Sequence, residues 1–296
     1  MFDVILDLAA VVLPVFFCAA FGYIWALKKL PFDMPTVTAL SSDVGTPCLI
    51  IATLSSLTLN PESIGTMAAA SALAFACVGV GGWLILSLTK QDIRAYLPSI
   101  MFGNFGNMGL PLCLFAFGEI GLGYAVVFFS VGVLLMFPIG MGLASGSISL
   151  GKLLKTPALY AVFIGLALML TGTTLPKPIY NTVSLLGDMT IPLMLFALGI
   201  SLAGLRVTSL RRVTLLALLR IGGGLLVGLA IAELFALEGV MRGVLIIETS
   251  LPVAVFMYLF AARYNHRPEE VASLVLISTL ISFLTLPLLI LIASAG

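Results

Sequence analysis

Two short stretches of this chain carry polar groups where nearly everything around them is apolar. In "PSIMFGNFGNMGLPLCLFAFG" Asn104 and Asn107 lie among Gly103, Gly106 and Gly109, with Met108 after Asn107 and Pro111 following. In "GVLIIETSLPVAVFMYLF" Glu248, Thr249 and Ser250 precede Pro252. Glycine tolerates backbone shapes that other residues avoid, and proline removes a donor and clashes with the preceding turn. Neither stretch should therefore run through hydrocarbon as a plain helix. A helix broken inside a membrane frees N–H and C=O groups, which need protein or a watered cavity around them. Two breaks meeting near the midplane would aim half-helix N-termini, each with partial positive charge, at one small volume suited to a carboxylate. The freed carbonyls, the two amides and Glu248 could hold Na⁺ or H⁺ beside it. The candidate substrate and ion contacts are thus Asn104, Gly106, Asn107, Met108, Gly109, Glu248, Thr249 and Ser250, with Pro111 and Pro252 as the prolines of the breaks. The competing reading is that both prolines merely kink packed helices whose glycines allow close approach.

Asp43 and Asp188 also lie inside apolar segments, each shortly before a proline, Pro47 and Pro192. A carboxylate within a membrane is costly, which makes it a functional candidate for coupling or for a polar position on the scaffold. Hydration at a span end, or a cap on a resuming helix, is the alternative. Arg220 falls within an apolar segment and either snorkels to the surface or anchors a substrate. Cys18, Cys48, Cys77 and Cys113 are widely spaced in apolar segments and read as small packing residues. The single His266 sits in a polar loop, so no His-based metal site or catalytic triad is expected. No cofactor is expected beyond a coupling ion.

The elements that must position these residues follow from composition. The 296 residues are 61% hydrophobic and 9% charged, with a mean hydropathy of +1.22. Too little polar surface remains to face water, so the fold class is an all-α polytopic membrane protein. The net charge of +1 gives no basis for nucleic-acid binding. Ten spans are predicted, at 5–27, 37–59, 63–88, 96–117, 120–143, 157–173, 179–203, 213–235, 240–261 and 271–293. The broken stretches fall in spans four and nine. The N-terminus lacks the basic region of a cleavable signal peptide.

The second half repeats landmarks of the first at near-constant offsets. Pro14 and Gly22 match Pro157 and Gly165; Asp43 and Pro47 match Asp188 and Pro192; Pro111 matches Pro252, and Pro138 matches Pro287. Five spans per half invert the second relative to the first, the inverted-repeat plan of secondary transporters. The halves are residues 1–147 and 148–296. Lys28, Lys29, Lys90, Arg94, Lys152, Lys155, Arg206, Arg211, Arg212, Arg263 and Arg267 all fall after odd-numbered spans, and only Lys177 and Arg242 fall on the other side. Basic residues near span ends stay cytoplasmic, so both termini are predicted on the extracytoplasmic side.

At these residues the sequence resembles the auxin efflux carrier family, within the bile-acid/arsenite/riboflavin-type transporter superfamily. The stretches that carry the resemblance are "GNMGLPL" at 106–112, "PLMLFALGISL" at 192–202 and "SLPVAVFMYLFAARYNHRPEEVASLVLISTLISFLTLPLL" at 250–289. The resemblance implies broken helices crossing at spans four and nine, a scaffold of spans one, two, six and seven, and a mobile transport domain from the rest. It also implies a small organic anion as substrate, such as a mono- or dicarboxylate, and a homodimer. Only "ASGSISLGKLLK" joins the halves, where some plant members carry a long cytoplasmic loop, which favours a prokaryotic, inner-membrane member.

Three function classes follow. The leading one is a secondary carrier of a small carboxylate working by alternating access, coupled to Na⁺, to H⁺ or to neither, with a sodium-coupled carrier of a bulkier bile-acid-like anion as its variant. A second is an intramembrane enzyme built on Asp43 and Asp188. The chain has no HExxH or GxSxG, and the two aspartates are repeat equivalents, as duplication alone predicts. A third is a channel or a transporter-derived sensor; a channel would need a long polar stripe that no span shows.

Overall fold

The computed structural model describes residues 2–56, 60–140, 142–143, 156–205 and 208–295. The loop joining the two predicted halves, including Lys152 and Lys155, lies outside the described residues, as does Arg206. The described residues form helices α1 (Phe2–Leu27), α2 (Met34–Leu40), α3 (Thr46–Ser56), α4 (Pro61–Leu88), α5 (Ile93–Met101), α6 (Leu110–Leu135), α7 (Pro157–Thr171), α8 (Lys177–Asp188), α9 (Thr190–Ala203), α10 (Leu210–Leu234), α11 (Gly239–Thr249), α12 (Val255–Tyr264) and α13 (Pro268–Ser294). Three five-residue π-helical turns, Ser41–Gly45, Phe105–Gly109 and Met136–Gly140, are spliced between them. Among the described residues the extended structure is a single isolated bridge.

Local chemistry sets several boundaries. Asn60 accepts from the Glu62 amide at 3.0 Å and starts α4, with Pro61 in the first turn. Asp92 accepts from the Arg94 and Ala95 amides and starts α5. α7 ends on Gly172 in the left-handed region.

Seven stretches of the described residues are long and apolar enough to cross a membrane. The shortfall from ten predicted spans has three physical sources. α7 has 15 residues, short of a full crossing. The ninth segment is split into α11 and α12, of 11 and 10 residues, each rising only about 15 Å. The fourth and fifth run together through α6, but Gly118 interrupts that helix at φ 66°, ψ −158°. A Cβ on Gly121 would press on the Cys113 carbonyl and on Phe117, so the chain turns back on itself at Gly118. That corner lies between the boundaries 96–117 and 120–143 read from the sequence.

Packing divides the helices into two groups. α1 lies along α9, and α3 along α7 and α8; these are among the most extensive pairings in the molecule. The α1–α9 pairing is a close backbone approach: a Cβ on Gly22 would collide with the Phe196 carbonyl, and one on Gly199 with the Ala19 carbonyl. The second group joins α4, α5 and α6 to α10, α11 and α13. On the side where α5, α10 and α13 begin, Glu270 receives Arg212 at 3.0 Å and Arg267 at 2.8 Å, and also accepts the Tyr96 hydroxyl. Arg267 reaches Asp92 at 3.4 Å. These contacts tie the ends of the second group together. Its core holds Phe75, Phe102, Phe105, Phe128 and Phe129 in edge and tilted contacts, with centroids 5.0 to 6.2 Å apart. Large apolar side chains such as Phe17, Phe21, Phe163, Leu226 and Leu284 remain exposed on the outer helices, the surface a bilayer would cover.

Candidate functional site

Both broken segments meet where α5 and α11 end. α5 stops at Met101, and Phe102 is extended at φ −107°, ψ 103°. α11 stops at Thr249, and the chain is extended again at Ala254. Between these ends Gly103 and Val253 form an antiparallel bridge. The Asn104 amide donates to the Pro252 carbonyl at 2.8 Å, and the Ala254 amide to the Phe102 carbonyl at 3.2 Å. The Val253 amide donates to Ser278 Oγ at 3.1 Å. Each break thus satisfies backbone groups freed by the other.

The two prolines do not occupy equivalent places. Pro252 is inside its break, next to the bridge residue Val253. Pro111 lies beyond the π turn Phe105–Gly109, in the first turn of α6, where a proline fits a helix without breaking it. At the crossing itself Gly103, not Pro111, lies opposite Val253. The first break is carried by Phe102–Asn104, and the glycines rather than the proline mark it.

Two connected cavities open beside the crossing. A cleft of about 340 Å³ lies between α2, α9 and α12, lined among others by Ser41, Ser42, Asn107, Met194, Ser201 and Phe256. A smaller cavity of about 100 Å³ reaches the start of the π turn, lined by Thr46, Gly103, Asn104, Gly106, Asn107 and Phe129, among others. Ser42, Asn107, Met194 and Phe256 line both. Neither lining contains a charged side chain among the described residues. A third cleft, of about 560 Å³, lies between α3, α8 and α6, and its polar lining includes Thr53, Glu119, Tyr180, Ser184 and Asp188.

Residues that carry unpartnered polar atoms line the first two cavities. Asn104 and Thr46, whose Nδ2 and Oγ1 are buried and unpartnered, are lining residues of the smaller one; Ser41, whose Oγ is buried and unpartnered too, is a lining residue of the cleft. Each unmade hydrogen bond of this kind costs about 1–3 kcal/mol. Their place around these cavities is the arrangement a polar ligand would complete. Thr190 Oγ1 is likewise unpartnered, against Gly45.

The remaining sequence candidates lie elsewhere. Met108 is fully buried and Gly109 packs against the Glu248 carboxylate, which a Cβ at that position would strike. Glu248 is 0% exposed; the Cys113 thiol approaches Oε1 at 3.8 Å and Oε2 has no partner. Thr249 Oγ1 donates to the Leu245 and Ile246 carbonyls and Ser250 Oγ to the Ile246 carbonyl, so both hydroxyls are spent on their own helix. None of Met108, Gly109, Glu248, Thr249 and Ser250 lines a cavity described above. Asp43 and Asp188 are exposed and keep separate partners: Ser42 donates to Asp43 at 3.0 Å and Ser184 to Asp188 at 3.5 Å. No hydrogen bond joins the two aspartates among the described residues, and no group of three or more metal-ligating side chains is found there.

Three contributors were not read as site residues from the sequence: Ser41, Ser42 and Thr46, in "SSDVGTP" around the first π turn. The signal was the density of small polar residues around Asp43. Arg220 does not snorkel. It is 3% exposed, with Nη1 donating to the Thr249 carbonyl at 2.7 Å.

The chain matches the family described as membrane transport protein, over residues 8–147 and 141–290. It is similar to an uncharacterised transporter of Methanocaldococcus jannaschii, 24% identical over 270 residues, covering 83% of this chain and 85% of the relative. An uncharacterised transporter of Methanothermobacter thermautotrophicus is 31% identical over 195 residues, 62% of this chain and 63% of that one. Auxin efflux carrier component 1 of Arabidopsis thaliana is 29% identical over 138 residues, 44% of this chain and 22% of the plant protein.

Proposed function

Because the chain belongs to the membrane transport protein family, the family that includes the auxin efflux carriers, we propose that it is a secondary carrier of a small organic anion, working by alternating access around the crossing of its two broken segments. The observation that carries this reading is that Asn104 and Thr46, each with a buried unpartnered side-chain atom, line one small cavity at the start of a half-helix. Amide N–H groups at a helix start attract negative charge. Asn104 belongs to the second helix group and Thr46 to the first, so a bound anion would bridge the two. Among the described residues the lining is uncharged and largely apolar, which suits a single carboxylate on an apolar body better than a dicarboxylate.

The reading takes the chain as ten spans in two inverted halves, 1–147 and 148–296. It is supported by packing that repeats itself: α1 on α9 corresponds to α7 on α3 when the halves are exchanged. The first helix group would be the scaffold and the second the moving transport domain. The cleft beside α2 and α9 and the cleft beside α3 and α8 would be the two alternating approaches, one to each side of the membrane. Both termini would be extracytoplasmic in a multi-pass inner-membrane protein, and the carrier would be a homodimer.

The deciding experiment is thermal unfolding of the purified protein with a panel of mono- and dicarboxylates, followed by uptake of any stabilising compound into proteoliposomes. A ligand that binds only the folded state raises the melting temperature by mass action. Stabilisation by a monocarboxylate that is lost in Asn107→Ala, together with uptake by the wild type alone, is the expected result. A hit that leaves Asn104→Ala and Asn107→Ala unaffected would move the site elsewhere.

A further inference from the structure

The buried Arg220 is used by none of the chemistry above. It sits on α10, and its guanidinium is wedged into the back of the crossing. Nη1 donates to the carbonyl of Thr249, the last residue of α11, at 2.7 Å. A Cβ on Gly103 would collide with Nη2, and one on Gly224 with the Thr249 carbonyl, so both glycines are spaces cut for this contact. Gly103 is itself the bridge residue of the other break. One side chain therefore touches both broken segments from a third helix.

The end of a half-helix carries partial negative charge on its free carbonyls. In carriers with discontinuous helices such ends, with nearby unwound carbonyls, hold the coupling cation. Here several of those carbonyls already have donors from the chain. Leu245 and Ile246 carbonyls receive hydroxyls, Ile247 receives the Ser250 amide, and Thr249 receives Arg220. Phe102 and Pro252 carbonyls are taken by the bridge. The Glu248 carboxylate, buried with one oxygen unpartnered, adjoins the residue that Arg220 holds.

We propose that Arg220 is a resident cation: its guanidinium fills the position at the end of α11 that a dissociable cation would otherwise take, offsets Glu248, and holds the two breaks together without Na⁺. A tethered charge cannot leave during a transport cycle, so this position carries no ion across the membrane.

The test needs no substrate, and failure of the transport reading leaves it intact. Melting temperatures are measured for the purified wild type, Arg220→Lys, Arg220→Ala and the double variant Arg220→Ala/Glu248→Gln. Each is measured in NaCl, choline chloride and low guanidinium chloride at equal ionic strength. The wild type should melt at the same temperature in Na⁺ and choline. Arg220→Ala should melt lower and recover in low guanidinium but not in choline, with the recovery absent from the double variant. Arg220→Lys should keep most of the wild-type stability and stay indifferent to Na⁺. Stabilisation of the wild type by Na⁺ over choline would overturn the proposal, as would an Arg220→Ala protein that melts like the wild type or that guanidinium fails to rescue. If Arg220→Ala cannot be purified, the wild-type comparison and a Na⁺-dependent Arg220→Lys each still count against it.

Discussion

At the scale of single residues, the molecule separates groups that hold the crossing together from groups left free for a ligand. Asn104 Nδ2 makes no hydrogen bond although the residue is buried, so Asn104→Ala should change the melting temperature of the empty protein little while abolishing stabilisation by the transported anion. Calorimetry or a thiol-dye melt with and without ligand reads both effects. Glu248 behaves in the opposite way. Its carboxylate fits only because residue 109 has no side chain, so Gly109→Ala should destabilise by about 1–3 kcal/mol, the usual cost of overpacking a filled interior. Combining it with Glu248→Ala should recover part of that loss, and strictly additive effects in the double-mutant cycle would show that the two positions do not press on each other. The sequence pointed to both residues through the same argument, polar groups beside glycine and proline, and could not tell them apart. Which of them faces a cavity depends on the rotation of α11 against α6, a property of packing and not of composition. Arg220 was ambiguous for the same reason, since its partner is a carbonyl on another helix.

The helices and turns show the same division. Three glycines and two asparagines, which cannot sustain a regular span, marked the stretch 103–111 together with Pro111; the chain opens at its start, Phe102–Asn104, while Pro111 lies in the first turn of α6. Proline is tolerated in a first helical turn, and the π turn Phe105–Gly109 that moves it there has no signature of its own. The asymmetry makes a prediction. Pro252→Ala gives a residue inside the break the freedom to re-form helix and should slow turnover, whereas Pro111→Ala should leave transport kinetics close to wild type; equal effects would mean both prolines act only through packing. The corner at Gly118 is a second case. Its φ of 66° and ψ of −158° lie where essentially only glycine is found, so Gly118→Ala should cost about 1–3 kcal/mol. Chemical or thermal denaturation in detergent would measure it. The segment boundary at this corner was legible from the drop in apolar character around Glu119.

At the scale of the whole molecule, the distribution of basic residues makes the sidedness testable. A single cysteine replacing Phe2, in a background with Cys18, Cys48, Cys77 and Cys113 changed to Ala, should react with an impermeant maleimide in intact cells. Labelling only after lysis would reverse the assignment. The overall class was plain from hydropathy, whereas the pairing of α1 with α9 and of α3 with α7 was not read from the sequence. Broken, short and folded-back segments escape a simple length criterion, which is why it finds seven spans among the described residues where ten were read from the sequence. The antiparallel bridge between Gly103 and Val253 has one more consequence, for how the protein is made. Backbone groups of Phe102 and Asn104 find their partners at Pro252 and Ala254, which are synthesised far later. Until Val253 has emerged from the ribosome, the first half exists as an incomplete intermediate whose open backbone needs the insertion machinery, a chaperone or trapped water. A nascent chain stalled before α11 should therefore stay cross-linkable to the translocation apparatus, and one stalled after α12 should be released.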